Sequence, residues 1–303
     1  MKKLIFVLTV LYAAITSFAS FAKDSLFVHD EKWWQTATPK MLEELLSRDS
    51  DITATGPNGI TPLMMAVKYA NVNLVNAIIE HGASPEATDD SGMTALMLAA
   101  QTGKNAKIID ALIKKGALIY ATDNNGLTPL MWAAKDNPNP EIITTLIRCS
   151  AEVNGKDKNG LTPLMWAAKS NTNPKVLETL IKNSANVDAQ DLEGFTPLMW
   201  AAKENSNPEI VEFLINYGQT IEAVNYNGQT AFMIAAKYNG NPEVIDVFVK
   251  HGANLEAKDN NGLTVFGAAG LNPNPNIVSA LMKHRTPVIT PDEEGSETSE
   301  NDE

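Results

Sequence analysis

Seven times the chain sets a glycine, one further residue and then a threonine: Gly59, Gly92, Gly126, Gly160, Gly194, Gly228 and Gly262, spaced 33 residues once and 34 residues five times. Around them run ITPLMMAV, MTALMLAA, LTPLMWAA, LTPLMWAA, FTPLMWAA, QTAFMIAA and LTVFGAAG. A constant period of this length constrains the fold more than composition does. One unit cannot bury its apolar face alone, so the copies must stack on one another rather than close around a single centre.

Each copy reads alike. Asp123-Asn124-Asn125-Gly126 and Asp157-Lys158-Asn159-Gly160 are turn chemistry, in which Asn and Gly tolerate positive φ. Thr128 and Thr162 stand where a helix N-cap belongs, and Pro129 and Pro163 follow at the first helical position, where a missing N–H costs nothing. The first helix is short, and Ala133-Ala134 gives it a small face that a neighbour can approach. A second start follows at Asn139-Pro140-Glu141, Asn173-Pro174-Lys175, Asn207-Pro208-Glu209 and Asn241-Pro242-Glu243, with apolar residues behind it at helical spacing, such as Ile142, Ile143, Leu146 and Ile147. Gly82, Gly116 and Gly252, or Ser150 and Ser184 in their place, close the unit. The 34-residue copies carry one extra residue beside the Asn-Pro start, which is expected to lengthen the inter-helix loop.

The pattern Gly-x-Thr-Pro-Leu-x-x-Ala-Ala, a second helix, then Gly-Ala and a turn resembles the ankyrin repeat. The resemblance implies an all-α fold, an ankyrin-repeat solenoid of helix-turn-helix units with β-hairpin-like turns. It divides the chain into seven repeats over 59–91, 92–125, 126–159, 160–193, 194–227, 228–261 and 262–285. The tetratricopeptide repeat shares the period, but its Trp, Leu-Gly and Tyr spacing is absent. Residues 38–59 align without gaps to 139–160, so 24–58 reads as a degenerate N-terminal capping repeat, with Trp33-Trp34 where later repeats hold Ala-Ala. The resemblance also marks a departure. Met64, Met97, Met131, Met165, Met199 and Met233 stand where ankyrin repeats carry His, and a thioether accepts hydrogen bonds only weakly. Apolar packing between repeats is the expected compensation. The next position holds Met65, Leu98, Trp132, Trp166, Trp200, Ile234 and Ala268, which reads as core with the tryptophans inside the stack; an aromatic ligand cage is the sharper alternative.

The ends read differently. MKK, an uncharged apolar run over 4–19 and Ser20-Phe21-Ala22 form the pattern of a cleaved secretory signal over 1–22, which implies export, with the periplasm as the expected compartment and the extracellular space as the alternative. No membrane span is expected after cleavage. Residues 286–303 hold seven acids and no base, a composition expected to form an acidic disordered tail. The formal net charge of −12 argues against nucleic acid as a partner, since such binding needs basic surface.

Chemistry is sparsely provided. His29, His81, His251 and His284 lie far apart in the sequence, and the last three share one repeat position with Lys115, Cys149, Asn183 and Tyr217, which marks that position as permissive. Cys149 is the one cysteine, so no internal disulfide can form. No Cys/His metal spacing, Gly-rich phosphate loop or hydrolase elbow occurs. The expectation is a non-enzyme without metal or cofactor, a hydrolase being the cross-class alternative.

What remains is surface. In ankyrin stacks the hairpin tips and first helices line a concave face on which partners usually bind. Carried over by position, that face holds Ile60, Met93, Leu127, Leu161, Phe195, Gln229 and Leu263, expected to be partly exposed, beside a lysine series of Lys68, Lys135, Lys169, Lys203 and Lys237. Tyr226 and Tyr238 add possible anchors. The expectation is a monomer that binds another protein through this face, as a periplasmic scaffold or regulator. An inhibitor or immunity-type partner of a co-secreted enzyme, or a host-directed effector, is the alternative use.

Overall fold

The structure, a computed structural model, describes residues 31–47 and 51–284. The signal pattern over 1–22 and the acidic segment over 286–303 lie outside the described residues, as does the start of the proposed N-terminal cap. The described residues form an all-α repeat solenoid of sixteen helices without strands. The helices come in pairs: α1 (Glu31–Thr36) with α2 (Pro39–Leu46), α3 (Pro62–Lys68) with α4 (Val72–Glu80), and α5 (Ala95–Thr102) with α6 (Ala106–Lys114). Next come α7 (Pro129–Asp136) with α8 (Pro140–Arg148), α9 (Pro163–Ser170) with α10 (Pro174–Lys182), and α11 (Pro197–Glu204) with α12 (Pro208–Asn216). The series ends with α13 (Ala231–Tyr238) and α14 (Pro242–Lys250), then α15 (Val265–Gly270) and α16 (Pro275–Lys283). From α3 onward the odd helices pack on one another in one layer, and the even helices from α2 onward form a second layer.

The local causes are those of the sequence. Each odd helix from α3 to α15 starts at a threonine whose hydroxyl accepts an N–H three residues on, as Thr162 does from Met165 at 3.3 Å. Ala133, Ala134, Ala167, Ala168, Ala201 and Ala202 have no exposed surface, which lets the odd helices pack closely. The methionines in the histidine position do more than fill space. Met131, Met165 and Met199 are fully buried, and their sulfurs face the backbone N–H groups of Thr128, Thr162 and Thr196 at 3.5, 3.4 and 3.5 Å. Each closes a weak reciprocal cap with its threonine. The turns before these helices are nearly all irregular, with isolated antiparallel bridges at Thr88–Thr94, Val224–Thr230 and Lys258–Thr264.

The extra residue of the 34-residue repeats is not spent on the loop. Three residues connect the helices both in the 33-residue copy and in the five copies from α5–α6 to α13–α14, whereas the first helix grows from seven residues in α3 to eight in α7. The shorter helix unwinds through Ala70 in the left-handed region (φ 54°). The longer one exits directly into an extended asparagine, Asn137 or Asn171.

That asparagine binds the stack together. The Nδ2 group of Asn171 donates to the carbonyls of Ala134 and Asn137, both at 2.9 Å. Asn205 donates likewise to Ala168 and Asn171, and Asn239 to Ala202 and Asn205, over 2.8–3.0 Å. Asn137 begins the column on Ala100 and Gly103, and Asn272 ends it on Ala236 and Asn239. Each Oδ1 accepts the N–H two residues on, at the N-cap of the second helix. Carbonyls left unpaired at the end of one helix are therefore satisfied from the next repeat. Asn205→Ala strips donors from two carbonyls and an acceptor from Asn207, with an expected loss of about 2–4 kcal/mol in urea unfolding. Asn205→Asp, which keeps the shape but faces those carbonyls with oxygen, is expected to lose at least as much. A loss below about 0.5 kcal/mol in both would show that the column holds nothing.

Candidate protein-docking face

The fingers that precede the odd helices are built on a buried carboxylate. Asp123, Asp157 and Asp191 are 6%, 7% and 5% exposed. In Asp157, Oδ1 accepts the N–H groups of Asn159 and Leu161, both at 2.8 Å, and Oδ2 accepts the indole N–H of Trp166 at 3.1 Å. Asp123 holds Trp132 and Asp191 holds Trp200 through the same bond, at 3.2 and 2.9 Å. A buried charge is tolerated because its oxygens are filled by fixed donors. The carboxylate in turn fixes the indole ring. Neighbouring fingers also touch by backbone, Leu192 N–H to Asn159 at 3.1 Å and Tyr226 N–H to Glu193 at 3.3 Å. This closeness explains Gly194 (φ 80°): a Cβ there would lie 2.8 Å from the Tyr226 ring and 2.9 Å from its amide nitrogen.

Over these rings lie the lysines. The ammonium of Lys135 sits 4.6 Å from the Trp132 ring centre and 5.9 Å from that of Trp166. Lys169 sits between Trp166 (5.1 Å) and Trp200 (4.4 Å). Lys203 faces Trp200 (4.9 Å), Phe195 (5.4 Å) and Tyr238 (5.8 Å), and Lys237 faces Tyr238 at 5.0 Å. Each of the first three thus bridges an aromatic ring of its own repeat and one of the next, within the range of cation–π attraction. Asp136 pairs with Lys135 at 3.2 Å and Glu204 with Lys169 at 3.4 Å and Lys203 at 4.0 Å. Gln101, where the lysine series is interrupted, donates to Asp136 at 2.8 Å and borders an open cavity of about 580 Å³. The result is one ladder of alternating rings and cations over α7, α9, α11 and α13.

The predicted surface residues fare differently. Ile60, Met93, Gln229 and Leu263 are half-buried, in keeping with the expected partial exposure, but Leu127, Leu161 and Phe195 are buried, at 4%, 4% and 5% exposure, so the apolar stripe is broken in the middle repeats. The Asx turn, in which the amide of the residue after glycine donates to the aspartate carboxylate and its carbonyl accepts the aspartate N–H, is made at Met93 and Leu263 too; the three buried residues are those whose repeats carry Trp132, Trp166 or Trp200. Phe195 packs 5.2 Å from Trp200. Lys68 stands apart from the ladder, exposed and paired with Glu31 at 2.7 Å. Tyr238 joins the ladder, whereas Tyr226 lies on a finger tip at 66% exposure. Trp200 is buried in the core, as the sequence reading expects, whereas Trp132 and Trp166 are half-buried and line this face. Leu192, 68% exposed beside Tyr226, is a further surface residue that the repeat pattern did not single out.

The permissive position at the ends of the even helices is an inter-repeat contact. Lys115 pairs with Glu80 at 2.8 Å, His284 with Asp246 at 3.0 Å and His251 with Glu212 at 3.6 Å. Lys115 and Lys250 hold the carboxyls of Glu80 and Glu212 below the usual range. Their contribution to stability is therefore present above that range and is lost as pH falls through it, a small effect for groups open to solvent. Cys149 lies 3.9 Å from Asp110, and burial first, then that carboxylate, pushes its thiol up. Among the described residues no group of three or more His, Cys, Asp or Glu is placed to hold a metal ion, and no helix is long and apolar enough to cross a membrane.

A family model described as ankyrin repeats in three copies matches residues 35–123, 107–191, 130–225, 169–259 and 198–292, which together span most of the chain. No curated protein matches it.

Two measurements test the geometry. A double-mutant cycle with Lys169→Met and Trp200→Leu is expected to give a coupling of about 0.5–1 kcal/mol that survives high salt better than a surface ion pair does; additive effects would separate the two groups. Cys149 is expected to react with iodoacetamide more slowly than a free thiol at pH 7, its rate rising at higher pH than that of a free thiol.

Proposed function

The chain belongs to the ankyrin-repeat family, a family of interaction modules that typically lack catalysis, and on that premise we propose that it docks another protein on the ladder face. The observation that carries this reading is the fixed series of Lys135, Lys169, Lys203 and Lys237 between aromatic rings, on a chain whose net charge is −12. Cations held in place lose little rotamer freedom on binding, so their attraction for an acidic partner surface is retained. The exposed rings of Tyr226 and Tyr238 supply apolar anchors at the same end of the stack. The signal pattern over 1–22 supports a periplasmic place of action, with secretion as the alternative.

Within that compartment a scaffold or regulator is the reading we favour over an inhibitor or a host-directed effector. An inhibitor stops its enzyme at equimolar ratio, whereas a scaffold leaves activity intact or raises it. A charge placed at Phe195 would test folding rather than docking, because the ring is buried against Trp200. Lys169→Gln with Lys237→Gln removes two rungs at half-buried surface positions instead. Capture of the native partner from periplasmic extract is expected to weaken at least about tenfold, or 1.4 kcal/mol, while thermal unfolding stays cooperative. Undiminished capture by the cooperative variant would refute docking through the ladder.

A further inference from the structure

The ladder has an occupant within reach in its own chain. We propose that the acidic segment over 292–303 lies along the ladder face of the same molecule and competes with the outside partner for it; this rests on the docking role proposed above. Four lysines form the ladder, and only Asp136 and Glu204 answer them at contact distance. Lys237, the rung nearest the last repeat, has no ion-pair partner among the described residues, and beside it Tyr238 is 47% exposed. The carboxylates of Asp123, Asp157 and Asp191 lie buried behind the rings, so the outward side of the face presents ammonium groups on an otherwise acidic protein. Residues 286–303 carry Asp292, Glu293, Glu294, Glu297, Glu300, Asp302 and Glu303 against no base. Lys237 and the acidic segment sit toward the same end of the chain.

Reach permits the contact. The described chain stops at His284, just past α16. From α15 back to α7 are four helix-to-helix steps of roughly 8–10 Å each, about 40 Å in all. An extended segment of 18 residues spans roughly 60 Å, enough to pass Lys237, Lys203 and Lys169. Tethering gives the segment an effective concentration on the order of millimolar, so weak individual ion pairs suffice to hold it. Carboxylates meet the lysine ammoniums on the side away from the rings, and the Tyr238 hydroxyl is a further donor. A segment that covers the face about nine-tenths of the time weakens an outside partner about tenfold, which sets a threshold only a more acidic or better-fitting surface crosses.

The full chain tests this without any partner. A spin label is attached through Ser299→Cys in a Cys149→Ser background, and the indole N–H signals of the tryptophans are followed by NMR. Expected at low salt is broadening of the Trp200 and Trp166 signals, with Trp33 and Trp34, buried in the N-terminal repeat, staying sharp. The broadening is expected to vanish at 0.5 M salt and in a full-length chain whose seven tail acids are amides. Three results overturn the proposal: uniformly sharp ladder signals at low salt, broadening that persists in the amide variant, or broadening that appears only between labelled and unlabelled molecules in mixed samples. Because no partner enters this experiment, its failure leaves the docking role standing. Loss of the docking role in the capture assay would in turn leave any observed broadening unexplained by competition.

Discussion

Everything on the ladder face depends on the hydrogen bonds that each inter-helix asparagine makes to the repeat before it. The carboxamide of Asn171 spends both donors on the carbonyls of Ala134 and Asn137 and its acceptor on the amide of Asn173. No other side chain of that size offers two donors and an acceptor in one plane. A second, more exposed asparagine series adds to it, with Asn173, Asn207, Asn241 and Asn274 donating to the preceding loop. These bonds hold the loops at one end of the units in register, as the finger-to-finger amide bonds do at the other end. A unit clamped at both ends has little freedom to slide on its neighbour.

Register matters because the ladder is made between repeats, not within them. Lys169 lies near the ring of Trp200, one repeat on, as closely as near its own Trp166. A displacement of a few ångströms between units would carry the ammonium outside the distance at which a ring attracts it. The aspartate that holds each indole N–H serves the same end, since it stops the ring from turning away. The binding surface is preorganised by the bonds that hold the fold, and its cations arrive already oriented.

The period, the threonine and asparagine caps and the helix pairs were legible in the sequence because each depends on neighbours in the chain. The misreadings share one cause. Leu127, Leu161 and Phe195 look like partly exposed apolar residues in a turn, and only the fold shows them tucked under fingers of the repeats that also carry a tryptophan, as Phe195 packs on Trp200. The tryptophans look like core because aliphatic residues replace them in other copies; Trp200 is core, while Trp132 and Trp166 are left half-buried with the indole N–H on a finger carboxylate. Asn137 and its counterparts sit beside a strong Asn-Pro start and share its loop, so their bonds to carbonyls 34 and 37 residues back left no local signal. The extra residue of the longer repeats was visible, but its role in the first helix, which delivers that asparagine to the stack, was not.

The central claim is that the asparagine column locks the repeats into one register. Exchange of the asparagine side-chain Nδ2 protons with solvent, followed by NMR, tests it most directly. The account predicts slow exchange for Asn137, Asn171, Asn205 and Asn239, with protection comparable to the buried backbone amides of α9 and α11. Exchange of those four carboxamides as fast as that of the exposed Asn124 or Asn260 would contradict it.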